Sequence, residues 1–127
     1  MTARVLIVDD EADLRMLVRF ILEPGGYEVL EAATGKEGLE VAEASSPDLV
    51  LLDMKLPDVE GWVVLEAMRR DADNAPVVVL SADSSPRALR RAKDSGAAAY
   101  LLKPFDEEDL LAEVRRLATP GALGMGS

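Results

Sequence analysis

A chain of 127 residues that is 49% hydrophobic amounts to about one domain and can bury a sizeable core. It contains neither Cys nor His, which excludes disulfides, thiolate metal sites and imidazole acid–base chemistry. A formal net charge of −10 argues against this domain gripping a nucleic-acid backbone, which needs clustered Lys and Arg. No apolar run approaches the roughly 18 residues of a membrane span. The N-terminal residues lead straight into a strand-like run, without the features of a signal peptide, so a soluble cytoplasmic protein is expected.

Residues 4–9 form the first predicted strand, with Val5, Leu6, Ile7 and Val8 almost all aliphatic, and Asp9, Asp10 and Glu11 follow at once. From 11 to about 23, Leu14, Leu17, Val18, Ile21 and Leu22 recur at helical spacing on one face, and Pro24-Gly25-Gly26 stops that helix. Residues 27–32 are a second strand whose glutamates suit a sheet edge. Thr34 and Glu37 fit a capping box for a second helix running to about Ala44. Leu49, Val50, Leu51, Leu52 and Asp53 form a third strand between Pro47 and Pro57, apolar enough to be buried on both faces. A turn through Gly61 leads into a third helix over 62–70, with Trp62, Leu65 and Met68 spaced for burial. Residues 76–81 are a fourth apolar strand ending at Ser81. Ser84-Ser85-Pro86 opens a fourth helix that ends near Gly96. Residues 98–102 are a fifth strand. A fifth helix over 106 to about 118 is acidic in its first turn and basic at Arg115-Arg116, as the helix dipole favours. Residues 1–118 thus read as one domain, and 119–127 as a flexible tail or the start of a linker.

Strands and helices alternate five times, which implies a doubly wound α/β domain: a five-stranded parallel sheet with helices on both faces. The strands with continuous apolar runs, the first, third and fourth, fit central positions, and the order 2-1-3-4-5 satisfies this. Its switch point lies between strands 1 and 3, where such sheets bind ligands. Asp9, Asp10 and Asp53 end those two strands and converge there. Three gathered carboxylates repel one another unless a cation joins them, and all-oxygen ligands suit Mg²⁺ best. Ser81 and Lys103, at the ends of strands 4 and 5, add a hydroxyl and a compact positive charge suited to a phosphoryl group. A carboxylate in such a place can itself act as nucleophile, giving an aspartyl-phosphate.

Asp9-Asp10, Asp53-Met54-Lys55-Leu56-Pro57, Ser81-Ala82 and Tyr100-Leu101-Leu102-Lys103-Pro104-Phe105 are each weak motifs alone. In this order and at these strand ends, they resemble the receiver domains of two-component response regulators over about residues 4–118. That family shares the flavodoxin-like (βα)5 fold with order 2-1-3-4-5, so the order rests on the resemblance as well as on the pattern. The resemblance implies that Asp53 is the phosphoacceptor, receiving its phosphoryl group from a histidine kinase phosphohistidine. It implies Mg²⁺ held by Asp10, Asp53 and the backbone carbonyl of Lys55, with Asp9 acting mostly through water. Ser81 and Lys103 would contact the phosphoryl oxygens. Tyr100 would be the switch aromatic that turns inward when Ser81 moves. The Lys103–Pro104 bond would be cis. The fourth helix, fifth strand and fifth helix would form the output and dimer face. The domain would catalyse only its own phosphorylation and dephosphorylation, without turning over a diffusible substrate.

Arg87, Arg90, Arg91 and Lys93 on the fourth helix could pair with acidic residues 106–109 of a second copy across a two-fold axis. Lys55 and Asp83 lie near the mouth of the site, where their opposite charges could pair and lengthen the life of the acyl phosphate. Rival readings are a haloacid-dehalogenase-like phosphotransferase, which wants an aspartate where Lys55 stands, and a flavodoxin-like nucleotide or flavin binder, which wants a Gly- or Ser/Thr-rich first loop. A receiver that is not phosphorylated and serves only for docking is a third.

Overall fold

The computed structural model describes residues 2–70 and 75–119. Residues 120–127, most of the expected tail, lie outside the described residues. Five strands form: β1 (Arg4–Val8), β2 (Glu28–Ala32), β3 (Leu49–Asp53), β4 (Val77–Ser81) and β5 (Ala99–Leu102). They alternate with α1 (Ala12–Leu22), α2 (Gly35–Ser45), α3 (Gly61–Arg70), α4 (Pro86–Asp94) and α5 (Glu107–Leu117), and a short 3-10 turn over Glu23–Gly25 closes α1. Every strand pair is parallel and the sheet order is β2-β1-β3-β4-β5, as expected.

The sheet separates two cores because successive side chains of a strand point to opposite faces. Val5, Ile7, Leu49, Leu51, Val78 and Leu80 pack under α1 and α5, against Val18, Leu22, Leu110 and Val114. Leu6, Val8, Val50, Leu52, Val77 and Val79 pack under the helices of the other face, against Val64, Leu65, Met68 and Ala92. β3 is buried along its whole length, Asp53 included, so its end is held by aliphatic packing on both sides. Each such leucine or valine contributes about 1.5–3 kcal/mol of burial.

Local signals set the helix ends. Thr34 Oγ1 accepts from Glu37 N–H (3.0 Å), while Glu37 reaches back to Ala33 N–H (2.7 Å), one residue before the partner a capping box would use. Ser85 and Asp106 cap α4 and α5 through Ala88 N–H and Asp109 N–H. Gly96 follows α4 with φ +93°, a conformation that favours glycine. One expectation fails on α1. Leu17 is 44% exposed, with Met16 and Phe20 more exposed still. The apolar stripe is wider than the strip of helix that the sheet covers. Among the described residues no helix is long and apolar enough to cross a membrane.

Candidate functional site

The carboxyl ends of β1, β3, β4 and β5 bring the expected residues to one crevice. Asp9 is fully buried, Asp53 is 4% exposed, and Asp10 beside them is exposed. One carboxylate oxygen from each lies within 4.8 Å of the others. A cavity of about 370 Å³ opens over them, lined by Asp10, Asp53, Lys55, Ser81 and Lys103 among others.

Lys103 provides the positive charge at the centre. Its Nζ donates to Asp9 Oδ2 at 2.8 Å and lies 3.3 Å from Asp53 Oδ1. Glu11 stands farther out, at 3.8 Å. Burial alone would lower the Lys103 pKa. The hydrogen bond to Asp9 and the charges of Asp53 and Asp9 outweigh it, so the ammonium is held above its ordinary value. Burial also pushes the Asp53 carboxyl up, helped by the Asp9 charge and opposed by Lys55 N–H and Lys103. Three carboxylates against one ammonium leave a negative excess in a half-closed, all-oxygen site. That donor set fits a hard dication such as Mg²⁺; Lys55 lines the same cavity, its N–H donating to Asp53 Oδ1 (3.2 Å).

The two expected switch residues meet at one residue, Asp83, through its two flanking peptides. Ser81 Oγ accepts from Asp83 N–H (3.0 Å), and the Tyr100 hydroxyl donates to the Asp83 carbonyl (2.6 Å). The Asp83 carboxylate accepts from Ser85 N–H, at the cap of α4 (2.9 Å). That bond, with a smaller contribution from the Lys55 charge, holds the Asp83 carboxyl below its ordinary range. The Lys55–Asp83 pair is not among the direct ion pairs of the described residues. The two line one groove of about 610 Å³ with Trp62, Arg91 and Tyr100, and act on each other at longer range. The Lys103–Pro104 peptide is cis.

Three sets of contacts were not foreseen in the sequence. Arg15 donates to the Asp9 carbonyl (2.8 Å) and to Glu31 (2.9 Å), tying the acidic loop to the sheet edge. Asp58 accepts from Gly35 and Lys36 N–H, 22–23 residues away in sequence. Arg91 of α4 lies over the ring of Trp62 in α3, 4.4 Å from its centroid. Arg15 and Asp58 sit at no spacing that periodicity or a motif could single out, and the basic face that marked Arg91 did not name Trp62 as its partner. The contacts of Arg15 with Glu31, of Asp58 with α2 and of Arg91 with Trp62 exist only once the crossovers bring separate elements together.

The chain is 43% identical over 116 residues to the DNA-binding regulator RpaA of Synechocystis, covering 90% of this chain and 48% of that protein. It is 33% identical to sporulation initiation phosphotransferase F of Bacillus subtilis, covering 91% and 94%. The chain thus spans about half the length of several curated relatives it matches. Among solved structures, chemotaxis protein CheY4 of Vibrio cholerae superposes with a TM-score of 0.87 at 34% identity, over 92% of this chain and 99% of that one. A family model described as the response regulator receiver domain matches residues 5–115. That match takes in all five strand ends and the acidic crevice between them, and the chain belongs to the response regulator receiver domain family.

Proposed function

We propose that this domain takes a phosphoryl group from a phosphohistidine of a histidine kinase or phosphotransfer protein onto Asp53, in the presence of Mg²⁺. The observation that carries this reading is Asp53 itself: a carboxylate 4% exposed at the end of a central strand, beside two further aspartates, with Lys103 Nζ at 3.3 Å. An Asp53 oxygen attacks phosphorus, the P–N bond of the donor breaks, and its electron pair returns to the imidazole ring. Asp10, Asp53 and the Lys55 carbonyl would hold the metal, with Asp9 acting mostly through water. When bound, Mg²⁺ supplies neutralisation of the phosphoryl oxygens. Lys103, already poised between Asp9 and Asp53, and the Ser81 hydroxyl serve the oxygens that remain. The domain catalyses its own phosphorylation and dephosphorylation and is not an enzyme for a diffusible substrate.

A donor must bring its histidine to this crevice. Beside it lies an apolar hollow of about 480 Å³ lined by Leu14, Leu17, Pro104 and Phe105, with Lys103 on its wall. The exposed Leu17, Met16 and Phe20 extend apolar surface along α1, which supports docking of a partner helix there. Readout runs through α4, β5 and α5 to an output domain or a downstream protein. Movement of Ser81 toward the phosphoryl group releases the Asp83 N–H, and the same residue holds the Tyr100 hydroxyl through its carbonyl and the cap of α4 through its carboxylate. The result is a population shift between two packings. A homodimer through that face would pair Arg87 and Arg90 with the acidic start of α5, since Arg91 is engaged with Trp62. If charge reversal at Arg90 leaves a phosphorylation-induced dimer intact, that pairing is wrong. Lys55 and Asp83 would shield the acyl phosphate from water. An unchanged dephosphorylation rate in Lys55→Ala would remove that role. The reading places the domain in the cytoplasm, with neither membrane nor nucleic acid as its direct partner.

The test is incubation with a small acyl-phosphate donor and Mg²⁺, followed by intact mass. A phosphate-sized gain in the wild type that is lost in Asp53→Asn supports the reading, and no gain in the wild type refutes it.

A further inference from the structure

The loop over residues 54–60, which carries the Lys55 carbonyl, is pinned at two places. At its base, Gly61 N–H donates to the Met54 carbonyl (3.1 Å), and Lys55 and Glu60 form an antiparallel bridge. At its tip, Asp58 takes two backbone donors from a different element. Its Oδ1 accepts from Gly35 N–H (2.8 Å) and its Oδ2 from Lys36 N–H (2.9 Å). These are among the first N–H groups of α2, which have no partner within the helix. The helix dipole strengthens both bonds, because a carboxylate is favoured at a helix N-terminus. The fit also needs Gly35 to lack a side chain: a Cβ there would stand 2.5 Å from Val59 Cγ2 and 3.3 Å from Asp58 Oδ1.

The cap is therefore more than a helix device. Thr34 already caps α2 from within, through Glu37 N–H. Asp58 contributes a second, long-range cap whose other end is the loop beside Asp53. We propose that Asp58 is a positioning residue for the metal site: by anchoring the loop tip on α2, it fixes the Lys55 carbonyl where Mg²⁺ needs it. This rests on the Mg²⁺ reading above. Linkage makes the coupling reciprocal. If the anchored loop favours the metal, the metal favours the anchored loop, and the Gly35 and Lys36 amides become harder to open.

The experiment uses the full chain, Mg²⁺ alone as ligand, and two readouts: isothermal titration, and hydrogen exchange at Gly35 and Lys36. The wild type is expected to bind Mg²⁺ and to slow exchange at those two amides when it does. Asp58→Ala is expected to bind about tenfold more weakly, the scale on which residues supporting a metal ligand act, and to lose the Mg²⁺-dependent protection. Asp58→Asn keeps one acceptor oxygen and is expected to fall between the two, which covers the case of an unfolded alanine variant. Thr34→Ala removes the other cap of the same helix without touching the loop, and is expected to bind within about twofold of wild type. Equal affinity in wild type and Asp58→Ala overturns the proposal. So does an equal loss in Thr34→Ala, which would assign the effect to helix integrity alone. Absence of Mg²⁺ binding by the wild type removes the metal reading itself, an outcome distinct from the other two.

Discussion

Gly61 opens α3 directly against the end of β3. A Cβ added there would stand 2.5 Å from Met54 Cα and 2.9 Å from the Asp53 carbonyl oxygen. Non-bonded carbons rest at about 3.5–4.0 Å, so Gly61→Ala forces helix and strand end apart by roughly 1 Å. Both obstructing atoms are backbone and cannot swing aside as a side chain would. Overpacking of this kind costs about 1–3 kcal/mol. The better helix propensity of alanine returns at most about 1 kcal/mol. The expected net loss is about 1–2 kcal/mol, or roughly 3–8 °C in Tm for a domain of this size. Because the displaced atoms adjoin Asp53, phosphoryl acceptance should slow as well. Thermal melting followed by circular dichroism reads the first effect, and intact mass against time with an acyl-phosphate donor reads the second. If Gly61→Ala melts at or above the wild-type temperature, the contact does not exist as described and the reasoning fails.

Asp53→Asn should raise Tm by a few degrees at neutral pH without metal. It removes a charge that burial and Asp9 disfavour, while Lys103 keeps its bond to Asp9; a lower Tm would mean that Lys103 more than compensates Asp53. The Glu31 carboxyl is held below its ordinary range first by its hydrogen bond to Arg19, with burial opposing and Arg15 assisting. Its folded value lies below the unfolded one, so the stabilisation is complete above the unfolded value near about 4.3 and is lost as pH falls through the lowered one. With Glu31 31% exposed, the ion pairs are worth about 0.5–1 kcal/mol. The Tm gap between wild type and Glu31→Gln should therefore close on acidification below about pH 4.5, and a constant gap down to pH 3 would exclude the linkage. Arg91→Ala should cost about 0.5–1 kcal/mol and alter the emission of Trp62, the only tryptophan; unchanged emission would show that the stack does not persist in solution.

The fold was legible because its signals are local and redundant. Strands β1, β3 and β4 are aliphatic but for one end residue each, Thr34, Ser85 and Asp106 mark helix starts, and each strand lies within a residue of its expected bounds. The crevice was legible because a parallel sheet sends all its carboxyl ends to one side, so that Asp9, Asp10, Asp53, Ser81 and Lys103 need only terminate strands to meet. Leu17 was misread because helical spacing tells which face a residue occupies but not how far the sheet reaches across that face. The bonds of Arg15 to the Asp9 carbonyl and of Asp58 to α2, and the Arg91–Trp62 stack, were invisible for a different reason. Arg15 and Asp58 satisfy no period, and the spacing that marked Trp62 for burial does not say what covers its ring. Their partners are backbone groups of a neighbouring loop or side chains supplied by other elements.

The guanidinium of Arg19 donates to the Val29 carbonyl (3.1 Å) as well as to Glu31. Glu28 and Ala32 use their backbone groups toward β1, so by alternation the Val29 carbonyl faces away from the sheet. Here β2 is an outer strand, with backbone groups that another chain could pair. Arg19 occupies one acceptor of that edge and, with Arg15, sets charge along it. The two arginines thus place charge and an already bonded acceptor along the β2 side, which works against addition of a further strand there.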